Sequence, residues 1–186
     1  MLAERILVYG RPGSGKSYSW LKIAEHFPSS AFFCFDTDAS TERLLATDFS
    51  HLKNVVYREC VDWESAEKFK IEVEAALRKR GRQRDWVVID FADSLWDMVQ
   101  NYYSLQVFGK KLDDYFLEVR KGQKVGTALR ALDGWKDWTV INKLYQDFLN
   151  PICYLWTNVY GVSVFLNAKA DRVSGFTTKK RTPHMT

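Results

Sequence analysis

Gly10-Arg11-Pro12-Gly13-Ser14-Gly15-Lys16-Ser17 matches the pattern G-x-x-x-x-G-K-[ST] at every fixed position and directly follows the apolar run Ile6-Leu7-Val8-Tyr9. Glycines at this spacing let the backbone curl so that successive N–H groups point inward, and the next helix adds the positive end of its dipole. The chemistry suited to such a nest is phosphate binding. Lys16 reaches the β- and γ-phosphates, the Ser17 hydroxyl is a ligand of Mg²⁺, and Tyr18 closes the set of nucleotide contacts that runs from Gly10. The helical spacing of Trp20, Leu21, Ile23 and Ala24 after the loop supplies the strand–loop–helix context that a chance Gly-rich turn lacks.

Two further segments end in carboxylates. Trp86-Val87-Val88-Ile89-Asp90 is an apolar run closed by an acid, the form of a Walker B strand whose Asp holds Mg²⁺. The competing duty for Asp90 is the N-cap of a helix beginning near Ala92 or Asp93, and Asp93 is the better cap by position. Phe32-Phe33-Cys34-Phe35-Asp36-Thr37-Asp38 places two acids two residues apart, on one face if the chain stays extended. One of them can orient and deprotonate an attacking water, while Asp36 serves equally well as a helix cap or a ribose contact.

These parts need a scaffold that delivers them to one edge. Apolar runs alternate with longer amphipathic stretches, as in βαβ units, and predict a mainly parallel α/β sheet. The strands are Arg5–Tyr9, Ala31–Phe35, Asn54–Tyr57, Trp86–Ile89 and Val162–Leu166. Helices are expected over Lys16–His26, Thr41–Ala46, Glu64–Arg80, Ala92–Ser104 and Thr139–Thr157. In the Glu64 helix, Ala66, Phe69, Val73, Ala76 and Leu77 share one face. The stretch 108–135, punctuated by Gly109, Gly122, Gly126 and Gly134 and rich in Lys and Arg, reads as an irregular insertion. All 186 residues are expected to form one domain, with a basic tail at 173–186.

Composition narrows the classes. The net charge of +4 and pI near 8.9 suit a polyanionic partner without specifying one. Cys34, Cys60 and Cys153 are scattered and odd in number, which excludes a readable disulfide framework or zinc site and implies reduced thiols in cytoplasm. No leader pattern precedes the first strand and no apolar stretch approaches membrane-spanning length, so no membrane partner is expected. His26, His51 and His184 are isolated, and no catalytic histidine is assigned. Trp96, Trp138 and Trp156 fall at helical core positions, whereas Tyr115, Phe116 and Trp135 lie among cations where bases can stack. Arg78-Lys79-Arg80-Gly81-Arg82 complements a helix C-terminus or touches a nucleic-acid backbone.

The order of strand, phosphate loop, helix, strand ending in Asp-x-acid and strand ending in Asp resembles the RecA-like P-loop ATPases. Within them the chain is most similar to small phage-encoded recombination and annealing ATPases, through Phe35-Asp36-Thr37-Asp38 and the Trp-bearing segment from Trp138 to Tyr145. The resemblance covers most of residues 5–170. It implies that Asp38 is the catalytic base, although it is Asp where the family has Glu, a side chain about 1.5 Å shorter. It implies that Asn167, delivered by the last strand, senses the γ-phosphate, and that Lys169 or Arg172 reaches a neighbouring subunit's nucleotide in a homo-oligomer. Their alternative is a solvated basic loop. The function it implies is Mg²⁺-ATP hydrolysis coupled to DNA, single-stranded by preference, in phage-type recombination or replication. Alternatives are a nucleotide or nucleoside kinase, a packaging-motor ATPase, which would normally carry Asp-Glu where this chain has Asp90-Phe91, and a non-hydrolysing nucleotide-dependent scaffold.

Overall fold

The computed structural model describes residues 3–121 and 136–169. Expectations that fall on Gly122, Gly126, Gly134, Trp135, Arg172, His184 and the basic tail lie outside those residues. The elements are β1 (Arg5–Gly10), α1 (Lys16–His26), β2 (Phe32–Asp36), α2 (Ser40–Ala46), β3 (Val55–Glu59), α3 (Trp63–Arg80), β4 (Trp86–Asp90), α4 (Ala92–Phe108), α5 (Leu112–Arg120), α6 (Lys136–Asn150) and β5 (Ser163–Lys169). Between α6 and β5 the helix continues through a π-helical turn at Pro151–Trp156 and a short α7 (Thr157–Val159). Pro151 has no N–H to donate into the ladder, a local reason for the change of helical pitch there.

All strand pairs are parallel, in the order β1-β5-β4-β2-β3. The central β2 and β4 are buried along their whole length, which is why they read as unbroken apolar runs rather than alternating ones. Period-two geometry divides their side chains between two cores. Phe33, Phe35, Val87, Ile89 and Val164 pack against α3, α4 and α6, with Phe69, Phe148 and Trp156. Phe32, Cys34, Val88 and Phe165 pack against α1, with Trp20 and Leu21. The crossovers thus use both faces, and the carboxyl ends of β1, β2, β4 and β5 open on one edge, where ligands bind in open parallel sheets.

The apolar face expected for the third helix is the buried face of α3, with Trp63 added at its start and an Asp62–Ser65 capping box before it. Trp96 stacks on Trp138 at 6.1 Å between centroids, and Trp156 is fully buried, so these indoles serve the core. Cys34, Cys60 and Cys153 are free thiols.

Within the expected irregular insertion at 108–135, α5 corrects the part from Leu112 to Arg120. Leu112, Tyr115, Phe116 and Val119 have helical spacing, and the flanking glycines and the charge count concealed it. Tyr115 is buried and stacks on Phe108 at 4.6 Å, so it is not a base-stacking platform. Lys110 pairs with Glu118 at 2.5 Å. In the basic Arg78–Arg82 segment, Arg78 bonds Glu74 and Tyr160, and Arg82 donates to the Asn158 carbonyl. These cations have partners within the chain.

Arg80 donates through Nε and Nη2 to both oxygens of Asp85, which is 1% exposed and also accepts the Ala31 N–H at 2.8 Å. One carboxylate therefore joins the end of α3, the start of β2 and the start of β4. Asp85→Ala should lower unfolding stability by about 2–3 kcal/mol in urea titration, because it strands a buried N–H as well as the ion pair. The site lies at the opposite end of the sheet, so the folded variant should keep its ligand affinity.

Candidate functional site

The phosphate loop leaves β1 at Gly10 and enters α1 at Lys16. Gly13 (φ 76°) and Gly15 (φ 84°) occupy the left-handed region, which a side chain at either position would strain. The Ser14 N–H returns to the Arg11 carbonyl at 3.2 Å, tightening the curl. The first turn of α1 leaves N–H groups without intrahelical partners, at the positive end of the helix dipole. Pro12, Gly13, Gly15, Lys16, Ser17 and Tyr18 line a cavity of about 350 Å³, with Asp38, Ser40, Arg43 and Phe91 on its other walls. Gly10, Arg11 and Ser14 complete the loop behind it.

Lys16 is buried within its own loop. It is 4% exposed, its ammonium donates to the carbonyls of Gly10 (2.9 Å) and Arg11 (3.0 Å), and it sits 4.8 Å from the Phe91 ring centroid. A carbonyl pair is a weaker partner for an ammonium than an anion, so the loop holds a charge ready for exchange onto phosphate.

Asp90 is fully buried at the end of β4. It accepts from Trp20 Nε1 at 3.0 Å and from Asn167 Nδ2 at 2.6 Å, while the Ser17 hydroxyl pairs with Ser40 Oγ at 3.3 Å. Burial pushes its pKa up, and the donors from Asn167, Trp20 and Ser17 pull it back. Asp90 does not cap α4, whose N-cap is Phe91 with no side-chain bond. Asp93 is not a cap either. Its carboxylate accepts the Lys169 N–H at 2.7 Å, fastening the end of β5 to the first turn of α4. Asn167 is buried behind Asp90 rather than on the cavity wall. Because the carboxylate accepts, the amide nitrogen faces it, and Asn167 Oδ1 is left buried without a partner.

The two acids after β2 part company. The strand ends at Asp36, and Thr37 ties the turn to β4, donating from its N–H and Oγ1 to the Asp90 carbonyl at 3.1 and 2.6 Å. Asp36 stays buried and accepts the N–H groups of Ser40 and Thr41, so of its candidate duties it performs the helix cap. Asp38 is exposed, accepts the Ser40 N–H at 3.2 Å and lines the cavity. The extended-chain expectation of a shared face fails because the chain turns at Thr37.

Burial raises the Asp36 pKa to about 6, with Asp38 and Asp90 adding repulsion. A carboxyl whose folded pKa lies above its unfolded value stabilises most below the unfolded pKa, and that contribution is lost as pH rises through the folded one. Relative to Asp36→Asn, the protein should lose on the order of 2 kcal/mol of stability between pH 4 and 7, read from urea midpoints in Mg²⁺-free buffer.

Sequence reasoning did not foresee Trp20 as a donor to Asp90, Thr37 as the tie between β2 and β4, or the backbone of Phe91. Phe91 adopts φ 78°, ψ 99°, a conformation that costs a bulky residue on the order of 1–3 kcal/mol. Thr37 Oγ1 also reaches the Phe91 carbonyl at 3.2 Å. A Thr between two acids at a strand end is a readable signal for such a tie, but nothing in the local sequence marks the strain.

The residues fit a Mg²⁺-nucleotide. The loop offers N–H groups and an ammonium to phosphate, and Asp90 is a buried carboxylate with hydrogen-bond donors but no ion-pair partner among the described residues. Such a charge is costly without a cation, and Asp90 and the Ser17 hydroxyl are the groups that could hold one. Among the described residues no group of three or more His, Cys, Asp or Glu side chains could cage a metal. Mg²⁺ bound through one or two protein ligands with phosphates supplying the rest matches that donor set.

A five-stranded parallel sheet flanked by helices, with this loop at the carboxyl edge of β1, defines a P-loop nucleotide-binding domain of the ATPase kind. A family model described as an AAA domain matches residues 3–152, and the chain belongs to that family. A search of curated proteins finds no match. No helix among the described residues is long and apolar enough to cross a membrane.

Proposed function

We propose that the protein binds Mg²⁺-ATP in the cavity beside the phosphate loop, hydrolyses it, and couples hydrolysis to single-stranded DNA in phage-type recombination or replication. The observation that carries the hydrolytic part is the convergence of Lys16, Ser17 and Asp38 on one cavity, with Asp90 buried behind them. Bound Mg²⁺-ATP supplies the phosphoanhydride bond and an electrophilic metal. The loop N–H groups and Lys16 bind the phosphates, and Ser17 and Asp90 hold the cation. Asn167 acts through Asp90, orienting the carboxylate by its 2.6 Å bond. Asp38, with Oδ1 fixed by the Ser40 N–H, takes the proton of the attacking water. The reach lost by Asp relative to Glu is offset only if the Thr37 tie brings the turn inward.

The DNA part rests on the family resemblance and the net charge of +4. Phosphate release measured with and without single-stranded DNA tests both parts. Stimulated turnover supports the motor reading, unstimulated turnover leaves an ATPase without DNA coupling, and transfer to a nucleoside acceptor indicates a kinase. Replacing Lys179, Lys180 and Arg181 with Gln should weaken single-stranded DNA binding and reduce the slope of log affinity against log salt by about 2. An unchanged slope would remove the tail from the account.

A further inference from the structure

Lys169 is the last residue of β5, and in the parallel ladder its Cα is the register partner of Gly10, the first residue of the phosphate loop. Its N–H is fixed on Asp93, so the backbone that carries it is fastened to the same edge as the loop. Its ammonium lies 5.7 Å from the centroid of the Phe91 ring, and the Lys16 ammonium lies 4.8 Å from that same centroid. One aromatic ring, itself a wall of the cavity, therefore carries both cations. Of the acids near Lys169, both from α4, Asp93 accepts its backbone N–H and Asp97 acts on its charge through space. Phe91 is held in its uncommon backbone conformation by Thr37, which bonds the carbonyls on both sides of the Asp90–Phe91 peptide. Strain of this kind persists where the surroundings over-determine it, and here it keeps the ring 4.8 Å from the Lys16 ammonium and 5.7 Å from that of Lys169.

We propose that Lys169 is a cation for the terminal phosphate of the nucleotide bound by its own chain, with Phe91, a wall of the phosphate-loop cavity, the positioning residue that holds its ammonium. This rests on the nucleotide reading above and departs from the expectation that a residue here serves a neighbouring subunit. A cation over an aromatic face is modestly held, and a lysine's four-carbon stem lets it exchange that face for a nearby phosphate oxygen without moving the fastened backbone. ADP lacks the third phosphate, so a contact to it separates ATP from ADP.

The test is equilibrium binding of ADP and of a non-hydrolysable ATP analogue, each with Mg²⁺, to the wild-type chain, Lys169→Ala, Lys169→Arg and Phe91→Leu. Lys169→Ala should lower the ratio of analogue to ADP affinity roughly tenfold while ADP binding reports an intact site, Lys169→Arg should restore most of the ratio, and Phe91→Leu should lower it about threefold. Adding excess Lys16→Ala protein, which still carries Lys169, should not restore the ratio of Lys169→Ala. Restoration by that mixture would overturn the same-chain assignment. An unchanged ratio in Lys169→Ala, with both ligands bound by wild type, would overturn this proposal and leave nucleotide binding standing. An unchanged ratio in Phe91→Leu would remove the positioning role. Failure of the folded wild type to bind either ligand would overturn the nucleotide reading and this proposal together.

Discussion

Lys16→Ala should reduce affinity for Mg²⁺-ATP by about 100-fold or more while changing unfolding stability by no more than about 1 kcal/mol. The large effect follows from removing the one ammonium inside the phosphate loop, where several charge-assisted bonds converge on an anion. The small one follows from its surroundings. Lys16 is 4% exposed, but its partners are the backbone carbonyls of half-buried Gly10 and exposed Arg11, where water can replace the ammonium. Loss of the Phe91 contact adds a further fraction of a kcal/mol. Calorimetric titration and urea unfolding of the same preparation give both numbers. Retained affinity in a folded variant would sever the loop from nucleotide binding.

The second large effect separates two acids. Asp38→Asn should leave ATP affinity within about twofold of wild type and lower turnover by about 10²–10³-fold, because a general base contributes in the transition state. Asp90→Asn should instead raise the Mg²⁺ concentration needed for ATP binding by at least about tenfold, because a metal-holding acid acts in the ground state. It also places an amide N–H₂ against Trp20 Nε1 or Asn167 Nδ2, both donors, so a stability loss of about 1–2 kcal/mol should accompany it. Equal losses of binding in the two variants would contradict the division of labour between the ends of β2 and β4.

Which of these roles the sequence makes visible follows from how local each signal is. The phosphate loop is written in eight consecutive residues, and the apolar runs before Asp36 and Asp90 announce strands buried on both faces. Those strands and the α3 apolar face appear in the structure close to their expected bounds. What stays hidden depends on contacts far apart in the chain. Trp20 donates to Asp90 across 70 residues, Lys169 to Asp93 across 76, and Asn167 to Asp90 across 77. No periodicity encodes such pairs. Asp93 looks like a cap from its position after a strand, and only the arrival of β5 beside β4 shows its other employment. The helix at Leu112–Arg120 is hidden for a different reason. Flanking glycines and positive charge mask the spacing of Leu112, Tyr115, Phe116 and Val119, and the stack of buried Tyr115 on Phe108 is the packing that spacing produces.

Asp36 illustrates how a strand-end acid is assigned by geometry rather than by motif. It shares the Asp-x-Asp signature with Asp38, and in the sequence both are candidates for the base. The turn at Thr37 buries one against the N–H groups of Ser40 and Thr41 and exposes the other to the cavity. A carboxylate committed to two backbone donors at the start of a helix has little left to offer a water, whereas Asp38 has one oxygen engaged by Ser40.

The most direct measurement of the central claim is titration of the wild-type chain with ATP, in Mg²⁺ and in excess chelator, followed by calorimetry. The account predicts saturable binding of one nucleotide per chain that weakens when Mg²⁺ is removed. A folded chain that takes up no nucleotide at millimolar ATP with Mg²⁺ present would contradict it.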